Sequence, residues 1–196
     1  DIGVTGVQTC ALPIFAIKRL KNKALPSDFS HMNMEKELLV TDKFTVTAQE
    51  AAHGSLAVIR HPGAVVILPF VDDQRICLIV NHRRAVNENL IELPAGTREP
   101  GEPARLTACR ELAEETGYQA TTMEPLFEYL VSPGIMDEKM DAFVARGLVP
   151  GQQSLMEDEE IETLVVEMGQ ALEWIREGKI RDAKTLATLL FFRQFG

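Results

Sequence analysis

The segment from Gly96 to Tyr118 constrains the fold of this chain more than any other part of the sequence. It reads GTREPGEPARLTACRELAEETGY. Pro103 suits the first turn of a helix, where its missing N–H costs nothing, and Gly117 suits the C-terminal end of one. The segment therefore predicts a loop followed by a helix over about 103–116 that stops at a glycine.

The predicted helix has two unlike faces. At about 100° per residue, one side collects apolar and small residues that can pack on a sheet: Leu106, Cys109, Leu112, Ala113 and Thr116. Glu111 and Glu115 lie together on the opposite side, with Glu114 beside them. A glutamate-rich face taken alone is typical of a solvated surface, but this spacing also suits a divalent cation, because magnesium prefers oxygen ligands.

The remaining periodicity predicts a sheet that is covered by helices. Apolar runs and turn residues predict strands over 38–47, 54–60, 64–71, 75–80, 90–93, 126–131, 139–144 and 161–166. Two further helices are predicted over 170–177 and 182–195. Strands with one central helix and a helical C-terminus favour a mixed sheet with helices packed against it.

The spacing of fixed residues around the central helix resembles the Nudix box, Gly-x5-Glu-x7-Arg-Glu-U-x-Glu-Glu-x-Gly-U, in which U is bulky and apolar. The matching positions are Gly96, Glu102, Arg110, Glu111, Leu112, Glu114, Glu115, Gly117 and, more loosely, Tyr118. With seven specified residues, a chance match in a chain of this length is on the order of one in a million. The resemblance implies an α/β Nudix fold, an α/β/α sandwich with a mixed β-sheet plus N-terminal antiparallel strands.

The resemblance also implies a metal site and a reaction. Glu111 and Glu115 would ligate Mg²⁺, or Mn²⁺ in its place, together with the backbone carbonyl of Ala95. Glu114 would be a further ligand or would orient one. Arg110 lies four residues before Glu114 and can hold it by a charge-assisted hydrogen bond, so Arg110 and Glu115 are expected to be part of the catalytic machinery. The reaction would be attack of a metal-activated water on a phosphoanhydride.

Flanking residues resemble the ADP-ribose pyrophosphatase branch of that family. Residues 92–96 match its "ELPAG" segment, residues 132–134 read Ser-Pro-Gly as in that branch, and residues 80–84 resemble its "VRQYR" segment at the first and last positions. The substrate-binding side chains expected from this comparison are Glu92, Pro133, Arg84 and, at the end of a predicted strand, Arg60. The arginines would face phosphate, because guanidinium groups bind phosphate bidentately.

A second acidic cluster, Glu157 to Glu160, lies in a predicted polar loop. A cluster of this kind is often just solvated. The resemblance implies that Glu157 deprotonates the attacking water and that Glu159 makes an additional metal contact. A shift of the alignment by one step would exchange these two roles.

Composition limits the partners. The net charge is −9 and the pI is about 5.0, which argues against nucleic acid, since phosphate backbones demand clustered Lys and Arg. No apolar run is long enough to span a membrane. Cys10, Cys77 and Cys109 show neither paired nor metal-like spacing, which predicts reduced thiols in a cytoplasmic protein.

The N-terminus is expected to lie outside the folded domain. Residues 4–14 read VTGVQTCALPI, which matches the translation of a short-read sequencing adapter and has no basic region of a targeting peptide. We therefore expect an artefact over 1–14, an uncertain segment over 15–33 and the Nudix domain over 34–196.

These expectations favour magnesium-dependent hydrolysis of ADP-ribose to AMP and ribose 5-phosphate by a homodimer formed through the N-terminal strands. Three alternatives remain open at this point. The substrate could be GDP-mannose or another nucleoside diphosphate sugar. The chain could be a non-catalytic Nudix module that binds a nucleotide. It could also be an acidic domain without a ligand.

Overall fold

The structure, a computed structural model, describes residues 35–51, 54–155 and 160–196. The elements that it describes follow in chain order: β1 Lys36–Val40, β2 Thr45–Ala51, β3 Gly54–Arg60, β4 Ala64–Pro69, β5 Arg75–Arg83, β6 Glu88–Glu92, β7 Ala95–Thr97, α1 Ala104–Thr116, β8 Tyr118–Leu130, β9 Lys139–Pro150, β10 Ile161–Glu167, α2 Met168–Arg176 and α3 Ala183–Phe195.

The strands form three sheets. One is the antiparallel N-terminal sheet β1-β2-β3, and a second is the antiparallel sheet β10-β5-β6. The third has the order β7-β4-β9-β8, in which β4 and β9 are parallel and the other neighbours are antiparallel. The predicted mixed sheet and the predicted N-terminal antiparallel strands are therefore confirmed.

Strand β4 lies at the centre of the fold, and all six of its residues are buried. Val65 and Ile67 pack in one cluster with Ala108 and Leu112 of α1, whereas Val66 and Leu68 pack in another with residues of α2 and α3. Successive side chains of a strand point to opposite faces, so helices cover both faces of this sheet. This is the predicted α/β/α sandwich.

Helix α1 begins and ends where the sequence predicts. It follows Pro103, and it stops at Gly117, whose φ of 75° is a left-handed conformation that glycine adopts without steric cost. The N–H of Gly117 donates to the carbonyl of Ala113 at 2.9 Å, which satisfies one of the last carbonyls of the helix.

The predicted packing face of α1 was partly wrong. Leu106 is 59% exposed, whereas the buried side of the helix consists of Thr107, Ala108, Leu112, Glu115 and Thr116. Spacings of four and three residues link 108, 112 and 115, which is the stripe that a helix presents to a sheet. Hydropathy alone would not predict that Glu115 belongs to the buried side. Its burial is possible because its carboxylate accepts a hydrogen bond from the N–H of Ala95 in β7.

Several strand boundaries also differ from the prediction, and β7 was not predicted. The strand expected over 38–47 is divided by a turn in which the hydroxyl of Thr41 accepts from the N–H of Phe44 at 2.9 Å. Strands β8 and β9 are longer than expected, with 13 and 12 residues.

Among the described residues, no helix is long and apolar enough to cross a membrane.

Candidate active site

Two carboxylates of α1 converge on the backbone of β7. Glu115 is 4% exposed, and its Oε2 accepts from the N–H of Ala95 at 2.9 Å. A Cβ built on Gly96 would lie 1.9 Å from Cδ of Glu111, so the Glu111 carboxylate occupies the space that the missing side chain leaves. The first residues of β7 therefore meet both predicted metal ligands, and position 96 accepts only glycine while Glu111 stays there.

Arg110 joins the acidic side chains of this helix into one network. Its Nη1 donates to Glu111 at 2.7 Å and to Glu114 at 2.9 Å, so the expected Arg110–Glu114 contact is present. Its Nε and Nη2 donate to the carboxylate of Glu102 at 3.2 and 3.1 Å, and Nη2 also donates to the carbonyl of Thr97 at 3.3 Å. The guanidinium beside Glu102 lowers the pKa of that carboxyl to about 2. One arginine thus holds three other fixed positions of the motif, Glu102, Glu111 and Glu114.

The donor chemistry around Gly96 fits a divalent ion. In the part of the chain that the structure describes, no group of three or more His, Cys, Asp or Glu side chains is close enough to enclose a metal. Magnesium, however, commonly takes one or two protein carboxylates and completes its shell with water and substrate phosphate. Glu111 and Glu115 supply such a pair next to Ala95, whereas the predicted ligand Glu159 and the predicted base Glu157 lie outside the described residues.

A cleft of about 290 Å³ borders this site. The backbone segment Ala95–Thr97 forms one part of its wall, Arg83 at the end of β5 and Lys184 in α3 bring two cations to it, and Glu138 and Asp182 bring two anions. Concave sites with a few converging charged groups are typical of small-molecule binding. A ligand with both phosphate and hydroxyl groups would find partners of both kinds here.

The predicted substrate residue Glu92 lies beneath this cleft. Its side chain is 1% exposed, and its carboxylate accepts from Nε and Nη2 of Arg83 at 2.8 and 2.6 Å and from Nζ of Lys184 at 2.5 Å. The carboxylate of Glu92 therefore binds two cations of the protein, and Glu92 is not among the residues that line the cleft.

The other predicted substrate residues lie in three separate places. Arg60, at the end of β3, donates to Glu35 at 2.7 Å and to Asp137 at 2.9 Å. Arg84 is exposed in the turn after β5, and Pro133 is exposed in the turn between β8 and β9. These three are not among the described residues that line the cleft.

The charged residues that do line the cleft, chiefly Arg83 and Lys184, were not predicted from the sequence. The sequence prediction chose Arg84, the next residue, as the phosphate ligand. The strand register separates the two arginines, because Arg83 pairs with Glu88 on β6 whereas Arg84 lies in the turn. Lys184 lies in the first turn of α3, where Asp182 accepts from the N–H of Thr185 at 3.0 Å and caps the helix. The capping pattern marks where α3 begins, but it does not show that Lys184 lines the cleft.

Comparison with known proteins shows the family to which this chain belongs. A solved structure described as an ADP compounds hydrolase superposes with a TM-score of 0.69 at 23% identity, covering 82% of this chain and 90% of that one, and thus shares the α/β/α fold. The NUDIX domain family model matches residues 60–189. The chain therefore belongs to the Nudix family, and it is a Nudix hydrolase of a class that generally uses divalent metal ions.

Similar proteins in other organisms indicate the kind of Nudix hydrolase that this chain resembles. A methanol dehydrogenase activator of Bacillus methanolicus is 36% identical, and an ADP-ribose pyrophosphatase of Bacillus subtilis is 34% identical; each alignment covers 69% of this chain and 75% of the relative. A GDP-mannose pyrophosphatase of Cronobacter sakazakii is 38% identical over 66% of this chain and 72% of its own length. The protein is therefore a hydrolase similar to the ADP-ribose and GDP-mannose pyrophosphatases.

Proposed function

We propose that this protein uses Mg²⁺ to hydrolyse the pyrophosphate bond of ADP-ribose to AMP and ribose 5-phosphate, or that of a related nucleoside diphosphate sugar to the corresponding nucleoside monophosphate and sugar phosphate. The observation that carries the proposal is the convergence of Glu111 and Glu115 on Ala95 and Gly96 at the edge of a cleft that also receives Arg83 and Lys184. The carboxylates for a metal thus contact the backbone of Ala95 and Gly96, and this backbone lines the same cleft as the cations for phosphate.

Each residue of the site has a defined task in this proposal. Glu111, Glu115 and the carbonyl of Ala95 hold Mg²⁺, for which Mn²⁺ can substitute, and Glu114 is a further ligand or orients one. Bound divalent ions lower the pKa of water and stabilise negative charge on phosphoryl oxygens. Arg110 fixes Glu111 and Glu114 through hydrogen bonds of 2.7 and 2.9 Å.

Two acidic residues beyond the described part of the chain complete the proposed chemistry. Glu157 takes the proton of the attacking water, and Glu159 makes an additional metal contact. The sequence resemblance to the Nudix family supports both roles. A Glu157→Gln variant should lose turnover with little change in KM, and the same result for Glu159→Gln instead would exchange the two roles.

ADP-ribose is the first candidate substrate because residues 92–96 and 132–134 match the motifs of that branch and a relative at 34% identity is an ADP-ribose pyrophosphatase. The GDP-mannose pyrophosphatase at 38% identity makes GDP-mannose the second. Arg60, Arg84, Glu92 and Pro133 were expected to contact the substrate, and only Glu92 lies next to the cleft, beneath its cations.

The deciding experiment is a phosphate-release panel. Purified protein with Mg²⁺ and alkaline phosphatase is offered ADP-ribose, GDP-mannose, UDP-glucose and dinucleoside polyphosphates, because the phosphatase removes phosphate only from the products of cleavage. Higher kcat/KM for ADP-ribose than for the other substrates is expected, and Glu115→Gln should abolish the signal. Equal or lower turnover of ADP-ribose would reject the substrate assignment, and no turnover of any compound would reject catalysis.

The proposed homodimer forms through the sheet β1-β2-β3. Leu38, Leu39, Val40 and Leu56 of this sheet are 50–64% exposed, and exposed apolar patches on a sheet are typical of interfaces. Sedimentation equilibrium should give twice the mass of one chain, and the Leu39→Glu variant should have the mass of a single chain.

The free thiols Cys77 and Cys109 fit the cytoplasm, where thiols stay reduced.

A further inference from the structure

Glu92 is a charged side chain in a place where charge is costly. It is the last residue of β6, with a relative exposure of 0%. A buried carboxylate is unfavourable unless cations and hydrogen bonds compensate it. Here Arg83 donates two parallel hydrogen bonds at 2.8 and 2.6 Å, and Lys184 donates a third at 2.5 Å.

The two cations reach Glu92 from distant parts of the chain. Arg83 belongs to β5, the strand paired with β6, and its α-carbon partner in the sheet is Glu88. Lys184 belongs to α3, 92 residues further along the sequence than Glu92. Both side chains also line the cleft beside Ala95 and Gly96. The buried carboxylate of Glu92 thus binds two cations that also line the cleft.

The start of α3 is fixed to the same point. The N–H of Leu93, the residue after Glu92, donates to Oγ1 of Thr185 at 2.8 Å. Asp182 caps the helix by accepting from the N–H and the hydroxyl of Thr185 at 3.0 and 2.6 Å, and it lies 3.0 Å from Nζ of Lys184. The position of Lys184 along the cleft therefore depends on the end of β6.

Ordering of long cationic side chains before binding has a direct energetic value. Arg and Lys each lose substantial rotamer entropy when they are immobilised, and a binding site in which this cost is met on folding binds its ligand more tightly. The side chain of Lys184 is 14% exposed and that of Arg83 is 41% exposed. Both remain accessible to an anion in the cleft while Glu92 restrains them.

We propose that Glu92 is a positioning residue, which holds Arg83 and Lys184 toward the cleft so that together they bind the diphosphate part of the substrate. That this anion belongs to a nucleoside diphosphate sugar rests on the proposed function. Glu92 does not touch the substrate in this assignment. It acts through its negative charge, which keeps the guanidinium and the ammonium in one arrangement.

Two substitutions separate the charge of Glu92 from its size. Glu92→Gln keeps the length of the side chain and removes the charge, whereas Glu92→Asp keeps the charge and shortens the side chain by one methylene. Val144→Ala, in the buried core and outside the cleft lining, serves as a control for general destabilisation. Thermal unfolding of all three variants shows how far each is destabilised, and assays are run well below the lowest Tm.

Two readouts are measured on the whole protein. Calorimetric titration with inorganic pyrophosphate in EDTA reports the affinity of the cations alone, and steady-state kinetics with ADP-ribose and Mg²⁺ separate KM from kcat. For Glu92→Gln we expect about tenfold weaker pyrophosphate binding, as the loss of one ordered charge-assisted contact implies, and a similar rise in KM. For Glu92→Asp we expect changes within about threefold, and for Val144→Ala no change in either.

The outcomes distinguish this inference from the proposed function. Pyrophosphate affinity in Glu92→Gln equal to that of the wild type would overturn the positioning role, whatever substrate is turned over. Equal losses in Gln and Asp variants, matched by Val144→Ala at similar Tm, would also overturn it, because the effect would then follow stability. A wild type that hydrolyses no nucleoside diphosphate sugar would reject the proposed function, while the pyrophosphate titration would still test Glu92.

Discussion

Gly96→Ala is the smallest change that should separate activity from folding in this protein. The added Cβ would lie 1.9 Å from Cδ and 2.1 and 2.2 Å from the two oxygens of the Glu111 carboxylate. Carbon atoms in contact normally stay about 3.5 Å apart, so the carboxylate must move by roughly 1.5 Å. The obstacle is the far end of a flexible side chain and Gly96 does not have a positive φ, so the backbone can stay in place.

The magnitude of the effect follows from this displacement. Misplacement of a catalytic group by 1 Å can lower the rate by about 100-fold, and we expect at least that loss in kcat/KM, which corresponds to roughly 2.7 kcal/mol. The Tm should fall by no more than about 3 °C, since no buried contact of the core is removed. Coupled phosphate release from ADP-ribose measures the first quantity, and thermal unfolding measures the second.

Gly169→Ala is the matched control. It makes the same chemical change near the start of α2, where a Cβ would meet no atom within 4 Å. It should leave kcat/KM unchanged and raise or preserve the Tm, because alanine favours a helix over glycine. Full activity of Gly96→Ala would refute the argument, since it would show that Glu111 need not lie against β7 for the reaction to proceed.

Two further predictions concern the protonation of side chains. The pKa of Glu102 is lowered to about 2 by hydrogen bonds from Arg110, so its contribution to folding is present above its ordinary pKa of 4.5 and is lost as the pH falls through 2. Glu102→Gln should therefore be less stable than the wild type at pH 7, and urea unfolding should show the difference shrinking toward pH 2; a constant difference would contradict the pairing. Burial raises the pKa of the Cys77 thiol to about 11. In a Cys10→Ser variant at pH 8, a disulfide reagent should therefore modify the partly exposed Cys109 much faster than Cys77. Equal rates of modification would show that the core around Cys77 opens readily.

Local sequence signals predicted the elements of this fold well. The proline at 103 and the glycine at 117 bound α1 as expected, and the continuous apolar run at 64–69 marks a strand that is covered on both faces. These signals depend on backbone preferences and on burial, and both act over a few residues. They did not fix the face of α1, because the burial of Glu115 depends on the N–H of Ala95, 20 residues earlier.

The motif predicted the acidic side of the candidate site but not its cationic side. Glu111 and Glu115 meet β7 as the motif implies. Lys184, by contrast, reaches the cleft through a contact with Glu92 across 92 residues of sequence, which no local pattern encodes. Arg83 was missed because the sequence does not show where β5 ends: the pairing of Arg83 with Glu88 on β6 places Arg83 in the strand and leaves Arg84 in the turn.

Calorimetric titration with Mn²⁺ tests whether Glu111 and Glu115 hold a divalent ion. The wild type is compared with a Glu111→Gln/Glu115→Gln variant, whose amide oxygens can still accept the hydrogen bond that Ala95 donates to position 115. We expect the variant to fold normally and to bind Mn²⁺ at least about tenfold more weakly, because two ionised ligands are lost. Unchanged Mn²⁺ affinity in a folded variant would contradict the assignment of the metal site.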